Sequence, residues 1–139
     1  MNEYIKVAVD AMGGDNAPQE IVKGAVEAVN ESSKVKVYLV GMKEAVEREL
    51  AGHTYPKEQI EVVPASEIIE TAEPPVMAIR KKKDSSLVKA LNLVKDGTCD
   101  AYVSAGSTGA TLVGGQAGSR VWRDLRLRRS YRRRRDVRC

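Results

Sequence analysis

The chain has 139 residues, with 23 lysines and arginines against 19 aspartates and glutamates, and a formal net charge of +4. Its 42% hydrophobic and 30% charged residues fit one small globular domain and exclude a disordered, collagen-like or coiled-coil protein. No apolar run is long enough for a membrane span or a signal peptide, so we expect a cytoplasmic protein. Cys99 and Cys139 form neither a CxxC pair nor a disulfide framework, which excludes structural zinc.

The basic residues are distributed unevenly. Residues 1–119 contain 13 basic and 17 acidic residues, a net charge of −4, and 11 of the basic residues are lysines. Residues 120–139 contain ten arginines, no lysine and two aspartates, a net charge of +8. We therefore divide the chain into an α/β part at 1–116 and a disordered arginine-rich tail at 117–139. The tail is either a basic interaction arm or the product of a frameshift or premature end near Gln116.

The first half of the chain alternates predicted strands with predicted helices. The first strand runs into a polar, glycine-bearing loop at 10–16, and proline is favoured in the first turn of the helix that follows. The predicted elements of this half are a strand at 5–9, a helix from about Pro18 to Glu31, a strand at 35–40, a helix ending before Gly52 and a strand at 60–63.

The second half continues the alternation. Its predicted elements are a short helix opened by Pro74 and Pro75, a helix capped by Asp84 or Ser85 and stopped at Gly97, a strand at 100–105 and a helix beginning near Ala110. Such alternation predicts a three-layer α/β/α fold with a mostly parallel sheet. Ligands of these sheets bind beyond the carboxyl ends of the strands, where the glycine loops at 10–16 and 106–109 both fall.

A strand, a glycine loop and a helix in succession form an anion site, because backbone N–H groups and the helix dipole favour negative charge there. Small residues admit a phosphate, and serine and threonine hydroxyls can donate to it. The predicted phosphate-binding residues are Gly13, Gly14, Asn16, Ser104, Gly106, Ser107, Thr108 and Gly109. The alternative is that the glycines serve the turn geometry alone. Neither loop matches a dinucleotide or nucleotide triphosphate motif.

Four charged residues are candidates for catalytic roles. Asp10 and Asp15 flank the first glycine pair and are suited to acid and base chemistry, to orienting a cation or to holding a metal, and the alternative is the loop or helix-cap role that short acidic residues routinely have. Lys82 and Lys83 suit a phosphate or an acidic partner, and the alternative is a solvated helix end. No serine or cysteine lies in a nucleophile motif.

Three segments in order carry a family resemblance. Residues 9–18 (VDAMGGDNAP), 78–86 (AIRKKKDSS) and 103–110 (VSAGSTGA) resemble the phosphate acyltransferase family of bacterial phospholipid synthesis. Ser107 stands where this family more often has asparagine, and it keeps a hydrogen-bonding side chain. The resemblance covers residues 5 to about 116, the N-terminal part of a family member. It implies a truncated α/β/α fold similar to phosphotransacetylases and isocitrate-type dehydrogenases.

The resemblance implies transfer of a fatty acyl group from acyl carrier protein to inorganic phosphate, which yields acyl phosphate. It implies a homodimer and no metal or organic cofactor, and it leaves peripheral contact with a membrane open. The chemistry needs no catalytic triad, because phosphate is largely dianionic above its second pKa of about 6 and the leaving thiol has a pKa of about 8.5. We expect the 139-residue chain itself to be inactive, because too few helices follow its fourth strand to cover the sheet.

Two other functions compete with this interpretation. One is a module that binds nucleic acid or another polyanion through the arginine tail, although only Trp122 and Tyr131 there are available for stacking. The other is a phosphotransacetylase that uses an acyl-CoA thioester. Phosphotransacetylases share the chemistry, but they lack the segment that this chain has at 9–18.

Overall fold

The structure is a computed structural model, and it describes residues 3–116. Four strands and five α-helices alternate along these residues. They are β1 (Ile5–Asp10), α1 (Gln19–Glu31), β2 (Val35–Gly41), α2 (Lys43–Ala51), β3 (Ile60–Pro64), α3 (Pro75–Lys81), α4 (Ser86–Lys95), β4 (Ala101–Val103) and α5 (Thr108–Gln116), with a 3₁₀ turn at Lys57–Gln59 before β3.

The four strands form one parallel sheet in the order β3, β2, β1, β4. The chain steps outward from β1 to β2 and β3, then returns to place β4 on the other side of β1. Val9 of β1 is therefore paired with Leu39 on one side and with Val103 on the other. The reversal of strand order lies between β1 and β4, which is where open α/β sheets bind their ligands.

Helices cover both faces of the sheet, because successive residues of a buried parallel strand point to opposite faces. On one face, Val37 and Leu39 of β2 pack with the buried side of α1 and with Val46 and Leu50 of α2. On the other face, Ala8, Tyr38 and Val40 pack against α4 through Ala90 and Val94. The predicted three-layer α/β/α arrangement with a parallel sheet is thus confirmed.

Two predicted boundaries shift near the carboxyl end of β4. The strand predicted over 100–105 is restricted to Ala101–Val103, and α5 begins at Thr108 rather than near Ala110. Ser107 explains the earlier start, because its Oγ accepts from the Ala110 amide at 3.1 Å and caps the first turn. Of the two caps considered for α4, the structure uses Ser85, whose Oγ accepts from the Val88 amide.

The face of β4 beside α1 is incompletely covered by the described residues. A groove of about 360 Å³ lies there, lined by apolar residues that include Val7, Val9 and Ala28. Val103 is 53% exposed. Within residues 3–116, none of the helices has the length and apolar character needed to cross a membrane. The predicted arginine-rich tail lies outside the described residues.

Candidate functional site

Asp10 and Ser104 lie side by side at the reversal of strand order. Asp10 ends β1, and Ser104 follows β4, whose last residue is paired with Val9. Parallel strands therefore bring two predicted site residues together that are separated by 94 positions in sequence. This part of the site follows directly from the sheet topology.

The Asp10 carboxylate is buried, with only 2% of the residue exposed. Its Oδ1 accepts from Ser86 Oγ at 2.5 Å, and its Oδ2 accepts from Ser104 Oγ at 3.0 Å. The Met12 amide also donates to Oδ1, at 3.3 Å. A buried carboxylate is costly unless it is hydrogen-bonded, and these donors meet that requirement. Sequence reasoning missed Ser86; the signal was a pair of adjacent serines of which only one caps the helix.

Ser104 connects Asp10 to the second glycine loop. Its hydroxyl proton is directed at Asp10, while its oxygen accepts from the Gly106 amide at 3.0 Å. A serine hydroxyl has one proton, so this geometry leaves none for a phosphate. The structure therefore gives Ser104 a loop-holding position rather than that of the phosphate donor expected from the sequence.

The two glycine loops are in contact. A Cβ on Gly106 would stand 3.1 Å from the Cα of Gly13, and a Cβ on Gly13 would stand 2.6 Å from Asp10 Oδ2. Gly14 has a φ of +110° and lies against Ala105. Only glycine fits these positions without displacement of the buried carboxylate or of the neighbouring backbone. The loops after β1 and β4 thus form one continuous surface.

In the part of the chain that the structure describes, both loops contain backbone amides without a hydrogen-bond partner. Within the described residues, the amides of Ser107, Thr108 and Gly109 have no hydrogen-bond partner, and α5 begins at this point. The amides of residues 14–16 in the first loop likewise have none. Ser107 Oγ accepts from Ala110, which leaves its proton free to donate. Free amides at a helix N-terminus are the donors that bind phosphate in other α/β folds.

The sequence suggests that Gly109 is a glycine so that phosphate can approach the backbone, but the structure shows a packing reason. A Cβ there would stand 2.6 Å from Pro75 Cγ, so its hydrogen side chain lets α5 pack closely against α3. Its amide remains among the unpartnered donors, but its lack of a side chain is explained by helix packing.

Of the other predicted charged residues, Lys82 is fixed by an ion pair and a hydrogen bond, whereas Asp15 and Lys83 are exposed. Lys82 Nζ donates to Glu73 at 2.5 Å and to the Ile68 carbonyl at 2.7 Å, which fastens the end of α3 to the preceding loop. The pKa of Glu73 is lowered, first by the Glu70 amide and then by Lys82. Asp15 and Lys83 are exposed, and no bond joins either of them to Asp10.

No group of three or more histidine, cysteine, aspartate or glutamate side chains within residues 3–116 is placed to hold a metal ion. Asp10 is surrounded by hydroxyl and amide donors, which suit an anionic carboxylate but contribute no second acidic ligand. The described part of the site therefore consists of backbone and hydroxyl donors arranged around one buried carboxylate.

Comparison with known proteins relates these features to a family. A family model described as "Fatty acid synthesis protein" matches residues 5–123. A phosphate acyltransferase of Clostridium beijerinckii is 56% identical over 110 residues, which cover 79% of this chain and 33% of that protein. A phosphate acyltransferase of Clostridium botulinum is 54% identical with the same coverage, and one of Halothermothrix orenii is 45% identical over 80% of this chain and 33% of that protein. The chain thus spans about a third of the length of these relatives.

Proposed function

We propose that this chain, which belongs to the fatty acid synthesis protein family, supplies the phosphate-binding third of an enzyme that transfers an acyl group to inorganic phosphate. The observation that carries the proposal is the contact between Gly13 and Gly106, which joins two loops into one surface of free amides at the start of α5. The relatives bear the name phosphate acyltransferase, which is consistent with such a site.

The finer proposal concerns the substrates. The acyl donor is a fatty acyl thioester of acyl carrier protein, and the product is an acyl phosphate for phospholipid synthesis. Phosphate above its second pKa of about 6 is already a competent nucleophile, and a thiolate with a pKa of about 8.5 leaves readily. The protein then needs chiefly to hold phosphate and to stabilise the oxyanion of the attacked thioester.

Each part of the described site has a role in this proposal. The amides of residues 107–109 and the Ser107 hydroxyl bind phosphate, while Gly13, Gly14 and Asn16 bound its opposite side. Asp10 does not touch phosphate, because its oxygens are occupied by Ser86, Ser104 and the Met12 amide.

Exposed charges outside the glycine loops suit a protein substrate. Lys83 is exposed at the start of the segment that follows α3, beside the exposed Arg80 and Lys81. We propose that these cations attract an acidic carrier protein, because exposed charges raise the rate of association more than they raise affinity. A homodimer remains part of the proposal for the complete enzyme.

The test uses a full-length chimera in which residues 1–116 of this chain replace the matching segment of the Clostridium beijerinckii relative. The chimera should form acyl phosphate from acyl carrier protein thioester and inorganic phosphate, at a rate comparable with that of the parent relative. Formation of acyl phosphate from acyl-CoA alone would instead identify a phosphotransacetylase, and the absence of product from both donors would overturn the proposal.

A further inference from the structure

Ser86 is a buried polar residue that neither caps its helix nor lies in a glycine loop. It is the first residue of α4, only 1% exposed, and its Oγ donates to Asp10 Oδ1 at 2.5 Å across 76 positions of sequence. The neighbouring Ser85 is 0% exposed and performs the capping, since its Oγ accepts from the Val88 amide. The hydroxyl of Ser86 is therefore free for the long-range bond to β1.

A continuous series of hydrogen bonds leads from Ser86 to the second glycine loop. Ser86 holds Oδ1 of Asp10, Oδ2 accepts from Ser104, and the Ser104 oxygen in turn accepts from the Gly106 amide. The three unpartnered amides begin at the next residue along the chain. The position of the predicted phosphate donors is thus connected to the orientation of one carboxylate.

The surroundings of Asp10 make that orientation sensitive to Ser86. The Gly13 backbone closes over the carboxylate so tightly that a Cβ there would stand 2.6 Å from Oδ2 and 2.8 Å from Ser104 Oγ. Without the Ser86 hydroxyl, Oδ1 retains only the Met12 amide at 3.3 Å. Because an unsatisfied buried oxygen is costly, we expect the carboxylate to rotate toward other donors, and this rotation moves Oδ2 away from Ser104.

We propose that Ser86 is a positioning residue of the phosphate site, which acts through Asp10 and Ser104 to fix the Gly106 loop at the start of α5. This inference rests on the proposed function and adds to it a residue on a third element, α4. Ser86 itself does not reach the phosphate, since its one proton is given to Asp10.

The test measures Ser86→Ala in the full-length chimera, with Ser85→Ala as the matched control. Ser86→Ala should raise the KM for phosphate at least tenfold and leave the KM for the acyl donor unchanged. Ser85→Ala removes an equally buried hydroxyl and should lower the melting temperature without changing either KM. The double variant Ser86→Ala/Ser104→Ala should raise the phosphate KM by less than the product of the single effects, because both act through one carboxylate.

A readout independent of turnover separates this inference from the proposed function. Hydrogen exchange of the segment containing the Gly106 amide should accelerate at least tenfold in Ser86→Ala and remain unchanged in Ser85→Ala. A chimera without acyl phosphate formation overturns the proposed function, while the exchange result still decides the positioning network. Unchanged exchange and phosphate KM in Ser86→Ala, or equal effects of Ser85→Ala, would overturn the inference. If Ser86→Ala does not fold, Ser86→Cys provides the same comparison with a weaker donor of similar size.

Discussion

Gly13 and Gly106 lie so close together that a Cβ on Gly106 would stand 3.1 Å from the Cα of Gly13. The loops after β1 and β4 consequently meet through backbone rather than through side chains. Because the contact also covers the Asp10 carboxylate, a methyl group at Gly13 has to displace hydrogen-bonded atoms, while one at Gly106 presses on the Gly13 backbone.

The first prediction concerns Gly13→Ala. The new methyl group would stand 2.6 Å from Asp10 Oδ2 and 2.8 Å from Ser104 Oγ, so the second loop must move. In the full-length chimera, kcat/KM for phosphate should fall more than tenfold, a loss of more than about 1.4 kcal/mol.

Gly24→Ala provides the matched control. Gly24 lies in α1, where an added Cβ would have no atom within 4 Å, and alanine favours a helix over glycine by about 0.8–1 kcal/mol. This variant should be slightly stabilised and keep the kcat/KM of the parent. Equal activity of the two variants would exclude the loop contact from the site.

A second prediction tests the packing role of Gly109. A Cβ at this position would stand 2.6 Å from Pro75 Cγ, so Gly109→Ala should destabilise the protein by about 1–3 kcal/mol through overpacking. Replacement of Pro75 by alanine should recover part of that loss, as measured by urea unfolding of single and double variants. If Gly109→Ala lowers stability equally with and without Pro75, the α3 contact does not explain the glycine.

The third prediction distinguishes the two lysines. Lys83→Ala should raise the KM for acyl carrier protein at low ionic strength, and 0.3 M salt should remove most of the difference, because exposed charges are screened. Lys82→Ala should instead lower the melting temperature, since it breaks the ion pair with Glu73.

The control for Lys82 is Glu73→Gln, which disrupts the same pair from the other side. The double variant Lys82→Ala/Glu73→Gln should lose less stability than the two single losses added together. A large rise in phosphate KM with Lys82→Ala that salt does not reproduce, and that Glu73→Gln does not share, would place Lys82 at the phosphate instead.

The fourth prediction is a pH dependence of stability. Hydrogen bonds from Lys89, and then from Ser66, lower the pKa of Asp84 to about 2. An unfolded aspartate has a pKa of about 3.9, so the folded state gains stability from this carboxylate above that pH and loses it as the pH falls toward 2. Urea midpoints measured between pH 5 and 2 should therefore decline less steeply in Asp84→Asn than in the parent chimera, and an equal decline in the two proteins would contradict this role of Asp84.

Much of the fold could be predicted from local patterns. The apolar spacing and flanking residues place α1 up to Glu31 and end α2 before Gly52, as the structure has them. The short β4 could not be predicted, because its end depends on a distant residue: Ser104 leaves the sheet to donate to Asp10. The bond between Ser86 and Asp10 is likewise invisible in the sequence, since it spans 76 positions and joins two different elements.

The candidate site shows the same division. The glycine loops could be located because glycines followed predicted strands, and parallel pairing then brought them together. The direction of the Ser104 hydroxyl could not be predicted, because it donates to Asp10, which lies 94 positions away in sequence and is brought near only by the fold. Lys82 likewise meets Glu73 through the path of the loop before α3.

The most direct test of the account is a crystal structure of the full-length chimera with inorganic phosphate. We expect the phosphate within hydrogen-bond distance of the amides of residues 107–109 and of Ser107 Oγ, with Asp10 still bound to Ser86 and Ser104. The Gly13→Ala variant, crystallised under the same conditions, should lack it. Phosphate bound elsewhere, or bound equally in both proteins, would contradict the assignment of these two glycine loops to the phosphate site.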